Sequence, residues 1–315
     1  MSLLHLPSRV ERRLRQDWHR WRFAAVARGA RSLPPLERGH LPYVMLSMVH
    51  TRDVDAYLVA AQSFARQVPP ERVVIVCDPS ITDADRAVLR AAIPHVELVR
   101  AEDFRHPELP VGGCWERLQA MTHYAQSAYV VQLDADTVSS GPLPEVVEAI
   151  RSGSAFILGE RPDQCRVSLA EASAAAAGRQ RPNTHVHVQG VAEYMMGQAQ
   201  LSGAWYVRGC AGFFGLPQSG HFLDDALAYS REMRRLVGER WNEWGTEQVT
   251  SNYLAANCEG FAVLPWPKYA TPSQRAPNPV FSHFIGMIRF ASDAYRHAAS
   301  QAIAAVALNQ KQDPA

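Results

Sequence analysis

From residue 41 onward, short apolar runs alternate with segments whose apolar positions recur at helical spacing. The runs at 43–49, 72–77, 96–99 and 129–133 are rich in β-branched and large apolar side chains and predict strands. Between them, 55–67, 83–92 and 115–126 predict helices. Strands that alternate with helices build a parallel sheet, and strands buried on both faces read as continuous apolar runs. The expected fold class is therefore α/β: a mixed, mainly parallel sheet flanked by helices. A helix from Pro142 to about Gly153, a strand at 155–159 and an alanine-rich helix over 167–177 continue the pattern. Residues 160–204 are otherwise the least readable, with a loop at Pro182 and His185/His187 read as polar-face positions. Beyond them come a strand at 205–217, a helix after Trp244, a strand at His283 and a helix over 292–308.

Chemistry first shows where the run 129–133 ends, in Asp134-Ala135-Asp136, followed by a break at Ser139, Ser140, Gly141 and Pro142. Side chains two apart on extended backbone share a face. Two carboxylates thus aim together into the crevice beyond the strand ends, where α/β sheets bind ligands. Such a pair needs something positive between its members, and Mg²⁺ or Mn²⁺, which favour oxygen ligands, suit it. Three glycines lie in the strand WYVRGCAGFFGLP, a sign of close backbone approach or a bulge. After it, Glu247 and Gln248 open a helix with Asn252 one turn on, and His283, Gly286 and Arg289 follow near the end. Arg117 lies near the start of the helix that feeds the 129–133 strand, where a permanent charge can reach a pyrophosphate. His50, Thr51 and Asp78 end strands, with base or ribose contact set against simple loop or cap roles.

LDADT in this strand context resembles the DxD signature of nucleotide-sugar glycosyltransferases with the Rossmann-like GT-A fold. The order of the motifs resembles family 8 of those enzymes. Family 8 carries a basic residue on the helix before its DxD, as Arg117 is here, and an Asp-Gln followed by Asn. This chain has Glu247-Gln248-Asn252, with Glu in place of Asp. It also ends its catalytic domain with His-x-x-Gly-x-x-Lys, matched by His283, Gly286 and Arg289 with Arg in place of Lys and without the following Pro-Trp. The resemblance implies metal-dependent transfer of a sugar from a nucleotide-sugar donor to a glycan or lipid-linked acceptor, with retained configuration favoured. Asp134, Asp136 and His283 would hold Mn²⁺ or Mg²⁺. Asp134, Arg117, Gly286, Arg289 and Asn252 would contact the donor, and Gln248 and Glu247 would serve the reacting carbon and its hydroxyls.

Two rivals use the same residues. A haloacid-dehalogenase-type phosphatase would take Asp134 as nucleophile and Asp136 as acid/base, but needs a lysine and then an acidic pair. Here Asp224-Asp225 precedes both lysines, Lys268 and Lys311. A non-catalytic carbohydrate-binding protein on a GT-A-like fold is the other, and the intact DxD and His283 oppose it.

Residues 1–40 stand apart from the catalytic segment 41–290 and the helix and tail 291–315. They hold nine arginines against three acids, a net +6. Ser8 with Glu11 predicts a capping box and Gly29 a stop. Val10, Leu14, Trp18, Trp21 and Ala25 fall on one face of the intervening helix, residues 8–29. Two readings remain open: a helix on an anionic membrane surface, or a terminal helix packed on the main domain. Leu33-Pro34-Pro35 reads as a linker. The whole chain is near neutral at +1, so no global field argues for nucleic acid. Five dispersed cysteines with no CxxC pair fit a reducing cytoplasm. The lack of a bilayer-length apolar run or signal-peptide core agrees with a cytoplasmic chain, peripheral at most to the inner face of the membrane.

Overall fold

The computed structural model describes residues 7–179 and 186–309, the side chains of 7–9, 287 and 309 aside. The chain begins with helix α1 (Pro7–Ala27), followed by β1 (Leu41–Val49), α2 (Val54–Ala65), β2 (Pro70–Cys77), α3 (Asp83–Ala92), β3 (Val96–Arg100) and α4 (Trp115–Ala125). Next are β4 (Tyr129–Leu133), β5 (Thr137–Ser139), α5 (Pro144–Ser152), β6 (Phe156–Gly159), β7 (Val167–Ser168), α6 (Leu169–Ala177) and α7 (Val188–Met195). The remainder comprises β8 (Trp205–Tyr206), β9 (Gly209–Leu216), α8 (Phe222–Val237), α9 (Thr246–Ala256), β10 (Ala262–Val263), β11 (Tyr269–Ala270), β12 (Phe281–His283) and α10 (Ala294–Asn309).

The main sheet runs β10-β6-β9-β4-β1-β2-β3. Strands β1 to β4 pair in parallel, as their two-sided apolar runs require, and only β9 runs against its neighbours β4 and β6. One apolar layer gathers Tyr43, Met45, Val131 and Phe213 with α2, α5 and α10; the other gathers Val44, Val130 and Phe214 with α4, α8 and α9. A second sheet, β11-β12-β5, is small but decisive for the site. Its antiparallel pairing sets His283 opposite Thr137, and Phe284 N–H donates to Asp136 O at 2.8 Å. The last tenth of the chain is thereby fastened to the end of β4.

Several details depart from the sequence expectation. The glycine strand is two pieces, β8 and β9, and Val167 belongs to a short strand rather than to α6. Helix α8 was not foreseen, although Phe222, Ala226, Tyr229 and Met233 form its buried stripe. The capping box expected at Ser8 and the residue His185 lie outside the described side chains. Helix α1 docks through Phe23, Val26 and Ala27, with the Phe23 ring stacked on Tyr295 at 3.9 Å. The expected face is turned outward: Val10, Leu14, Trp18 and Trp21 are all more than half exposed.

Candidate active site

Strand β4 delivers its two carboxylates to the sheet's C-terminal edge. Asp134 N–H is tied to Gly212 O of β9 at 2.9 Å, which fixes the backbone there. Asp134, Asp136 and His283 each offer one ligand atom, and these atoms lie within 4.8 Å of one another. His283 Nε2 is 2.9 Å from Asp136 Oδ1 and 3.5 Å from Asp134 Oδ2. The second oxygen of each carboxylate goes to a different arginine. Arg117 Nη1 donates to Asp134 Oδ1 at 2.5 Å, and Arg289 Nε donates to Asp136 Oδ2 at 3.0 Å. Each carboxylate therefore turns one oxygen inward to the shared centre and has the other clamped from outside. Outer hydrogen bonds of this type orient ligands at a metal site.

Strand β9 lets the ligands pack close to its backbone. A Cβ on Gly212 would stand 2.0 Å from His283 Cε1 and 2.6 Å from Asp134 Oδ2. Glycine is the only residue that fits without displacing both ligands. The donor set of two carboxylate oxygens and one imidazole nitrogen suits Mn²⁺ or Mg²⁺, so the triad fits a divalent cation.

Electrostatics agree with this arrangement. Burial works to raise the Asp136 carboxyl, but the facing His283 and Arg289 charges outweigh it and hold the group at about 2. Burial likewise opposes a charge on His283, yet the adjacent Cys210 and Asp136 raise it well above its ordinary value. Cys210 Sγ sits 3.1 Å from His283 Nδ1, on the side away from the carboxylates.

The structure separates Glu247 from Gln248. Glu247 is buried on α9 and accepts from Arg117 Nη2 and from Ser251 Oγ, each at 3.0 Å. Its pKa is raised by burial in spite of Arg117. Arg117 thus bridges Asp134 and Glu247. Gln248, only partly buried, points elsewhere: its Nε2 donates to Gln189 Oε1 at 3.2 Å and Glu160 Oε1 at 3.4 Å. Asn252 is fully buried, with Nδ2 on the Tyr206 hydroxyl at 3.3 Å and no opening to solvent. Gly286 adopts a left-handed φ of 51°, which turns the chain so that Arg289 reaches back to Asp136. His50 Nδ1 lies 3.1 Å from Asp78 Oδ1, while Asp78 accepts from Ser80 N–H and Thr51 from its hydroxyl donates to Asp85 Oδ2 at 2.6 Å. The last three contacts organise loops.

Sequence reasoning missed Asp53, whose Oδ1 accepts from Arg289 Nη1 at 3.0 Å, and Cys210 and Gln132, which touch His283 and Asp134. Asp53 lies just beyond the first strand, at the same sheet edge as Asp134, and that position was its one available signal. It also missed a second polar cluster behind Gln248. There Glu193 Oε1 accepts from Gln189 and Tyr206, and Oε2 from Arg179 at 2.7 Å and from Arg208. A cleft of about 800 Å³ bordered by Ser202, Trp205, Phe222 and Tyr253 contains none of the triad. Convergent ligand atoms, not cavity size, locate the site.

No family model and no curated protein matches the chain. Solved structures do. The Q189E active-site mutant of LgtC aligns with a TM-score of 0.50 at 14% identity, over 82% of this chain and 95% of its own. LgtC, a galactosyltransferase solved with donor and acceptor sugar analogues, aligns at 0.47 with 14% identity over 83% and 95%. Core-mannan synthase A from Aspergillus fumigatus in an Mn/GDP form gives 0.43, 12% identity, and 82% of each chain. At these identities the likeness is one of architecture, and the architecture is the GT-A fold of nucleotide-sugar glycosyltransferases, with Asp134 and Asp136 at the end of its central strand.

Proposed function

We propose that the protein is a metal-dependent glycosyltransferase of the family 8 type, moving a sugar from a nucleotide-sugar donor to a glycan or lipid-linked acceptor. One observation carries this reading: the inward oxygens of Asp134 and Asp136 converge with His283 Nε2, a close approach that Gly212, having no side chain, permits. When bound there, Mn²⁺ or Mg²⁺ would supply Lewis-acid stabilisation of the departing nucleoside diphosphate. The chain's own part is positional and electrostatic. Arg289, beside the Gly286 turn, and Arg117 bring fixed positive charge to where phosphate oxygens would lie. Their carboxylate partners hold both guanidinium groups in place before a donor arrives.

The stereochemical reading follows from the two neighbours on α9. Glu247 is held by Arg117 and Ser251, so neither its position nor its hydrogen bonds suit a mobile general base. Gln248 is partly exposed and presents an amide, which supports a retaining reaction with Gln248 beside the reacting carbon. Glu247 then acts through Arg117 or meets a sugar hydroxyl, and Asn252 supports the helix turn below. The phosphatase reading loses further ground, because Lys268 pairs with Glu145 at 2.7 Å. Purified protein assayed against a nucleotide-sugar panel, with Mn²⁺ and with EDTA, tests the activity; NMR of the product anomer tests its configuration. Metal-independent turnover, or an inverted product lost only in Glu247→Gln, would overturn the respective parts.

A further inference from the structure

Helix α1 has two faces with opposite fates. At about 100° per residue, Val10, Leu14, Trp18 and Trp21 fall within one arc of about 80°, and Phe23 lies roughly opposite its centre. Phe23 is buried on Tyr295 and Phe290, while His19 and Arg22 bond Asp293 at 2.9 and 2.7 Å. That inner face anchors the helix firmly. The outer stripe is exposed at 57% for Val10, 64% for Leu14, 55% for Trp18 and 64% for Trp21, and the two indoles stack at 5.3 Å. Four large apolar side chains in a row on a rigid helix are not explained by the packing of this chain. Charge supplies the second observation. The helix carries six arginines against two acids, Glu11 and Asp17. By the same angular count, Asp17 and Glu11 lie at the two edges of the stripe, with Arg13 and Arg20 beyond the one and Arg22 and Arg15 beyond the other.

We propose that α1 is a docking element for an anionic lipid surface. An exposed apolar stripe with stacked tryptophans, on a helix where six arginines outnumber two acids, matches a bilayer's interfacial zone and its negative headgroups. The inner face of α1 also connects to the site: Arg20 lies over the Phe290 ring at 5.3 Å, and the preceding residue is Arg289. Docking would therefore place the wall of the metal site close to the surface, where a membrane-held acceptor is presented. That last consequence rests on the transferase reading; the docking itself does not.

The test is partition of the full chain onto phosphatidylcholine vesicles with and without phosphatidylglycerol, at low and high salt. Binding is expected only with phosphatidylglycerol, and high salt should release it. Replacing Arg13 and Arg15 together by Gln should weaken partition roughly 30-fold. Trp18→Ser with Trp21→Ser should weaken it at least about tenfold. Both variants should keep the parent's thermal midpoint and its donor hydrolysis in solution. Equal binding to neutral vesicles, or unchanged partition in either variant, overturns the proposal. So does a dimer in solution that Trp18→Ser/Trp21→Ser dissolves, if the parent shows no partition. Loss of donor hydrolysis in the parent would sink the transferase reading and leave vesicle binding standing, so the two failures are distinguishable.

Discussion

Two buried polar clusters lie within reach of helix α9, and they differ in what is left over. Around Glu193, both carboxylate oxygens are consumed: Gln189 and Tyr206 donate to one, Arg179 and Arg208 to the other. The group is 1% exposed and has no vacant position for a ligand. Around Asp134 and Asp136, only the outer oxygens are clamped, while the inner pair faces a single imidazole nitrogen across a residue that lacks a side chain. Ion pairs in a protein interior stabilise little by themselves, because desolvation offsets the attraction. A saturated cluster like that of Glu193 is therefore best understood as a joint between α7, α9 and the β8–β9 segment. The other brings two carboxylate oxygens and an imidazole nitrogen together, a donor set that suits a divalent cation.

Removing ligands from the open cluster should have the largest effect. Asp136→Asn, His283→Ala and Gly212→Ala are each expected to lower metal-dependent donor turnover by at least about 10³-fold, roughly 4 kcal/mol. Manganese binding measured by calorimetry should weaken in parallel while far-ultraviolet dichroism is unchanged. Gly212→Ala is the sharpest of the three, since it alters no charge; normal metal affinity there would break the account of the open centre.

The closed cluster should respond in the opposite sense. Glu193→Gln leaves Arg208 and Arg179 without their shared carboxylate and should cost about 3 kcal/mol in urea unfolding, with manganese affinity of the folded protein unaltered. If stability is untouched and turnover falls instead, Glu193 belongs to the site and the distinction fails.

Gln248 stands between the clusters, bonded to Gln189 and Glu160. Gln248→Ala is expected to reduce turnover by about 10²-fold, roughly 2.7 kcal/mol, with little change in donor KM. A change confined to KM would assign Gln248 to binding only. The smallest effect is expected at Cys210, which meets the far nitrogen of His283. Cys210→Ala should weaken manganese binding about tenfold, and Cys210→Ser should restore most of it by offering a hydroxyl to the same nitrogen. Equal losses in both variants would mean that the sulfur acts through packing alone.

The strands and helices from β1 to β6 were legible, because each buries a stripe or run that its own residues spell out, but β5, which falls where a break was expected, was not. Helix α3 covers the expected residues, Asp83–Ala92, with Thr82 capping its start. Asp134 and Asp136 were legible as a pair at a strand end and His283 through the resemblance to family 8, as expectations whose ligand atoms the structure brings within 4.8 Å of one another. The partners of those residues were not. That Arg117 joins Asp134 to Glu247, or that Arg289 joins Asp136 to Asp53, depends on contacts across 130 and 236 residues of sequence, for which periodicity carries no signal. The α1 helix shows the same limit. Its apolar stripe is plain in the sequence, but the face that packs is the one marked by Phe23 and Ala27, because the surface of α10 and α2 decides which side is covered.

The pairing of β12 with β5 has a bearing on synthesis. Asp136 and His283 are 147 residues apart, and Arg289 follows still later. During translation the two carboxylates emerge long before the imidazole and the guanidinium that hold Asp136, so Asp136 lacks these partners until residues 283–289 have been made. Products that stop short of residue 281 lack the closing strand of the small sheet and cannot assemble the triad. The Asp-Asp-His cluster thus forms only once the segment 281–289 has been made and has paired with β5.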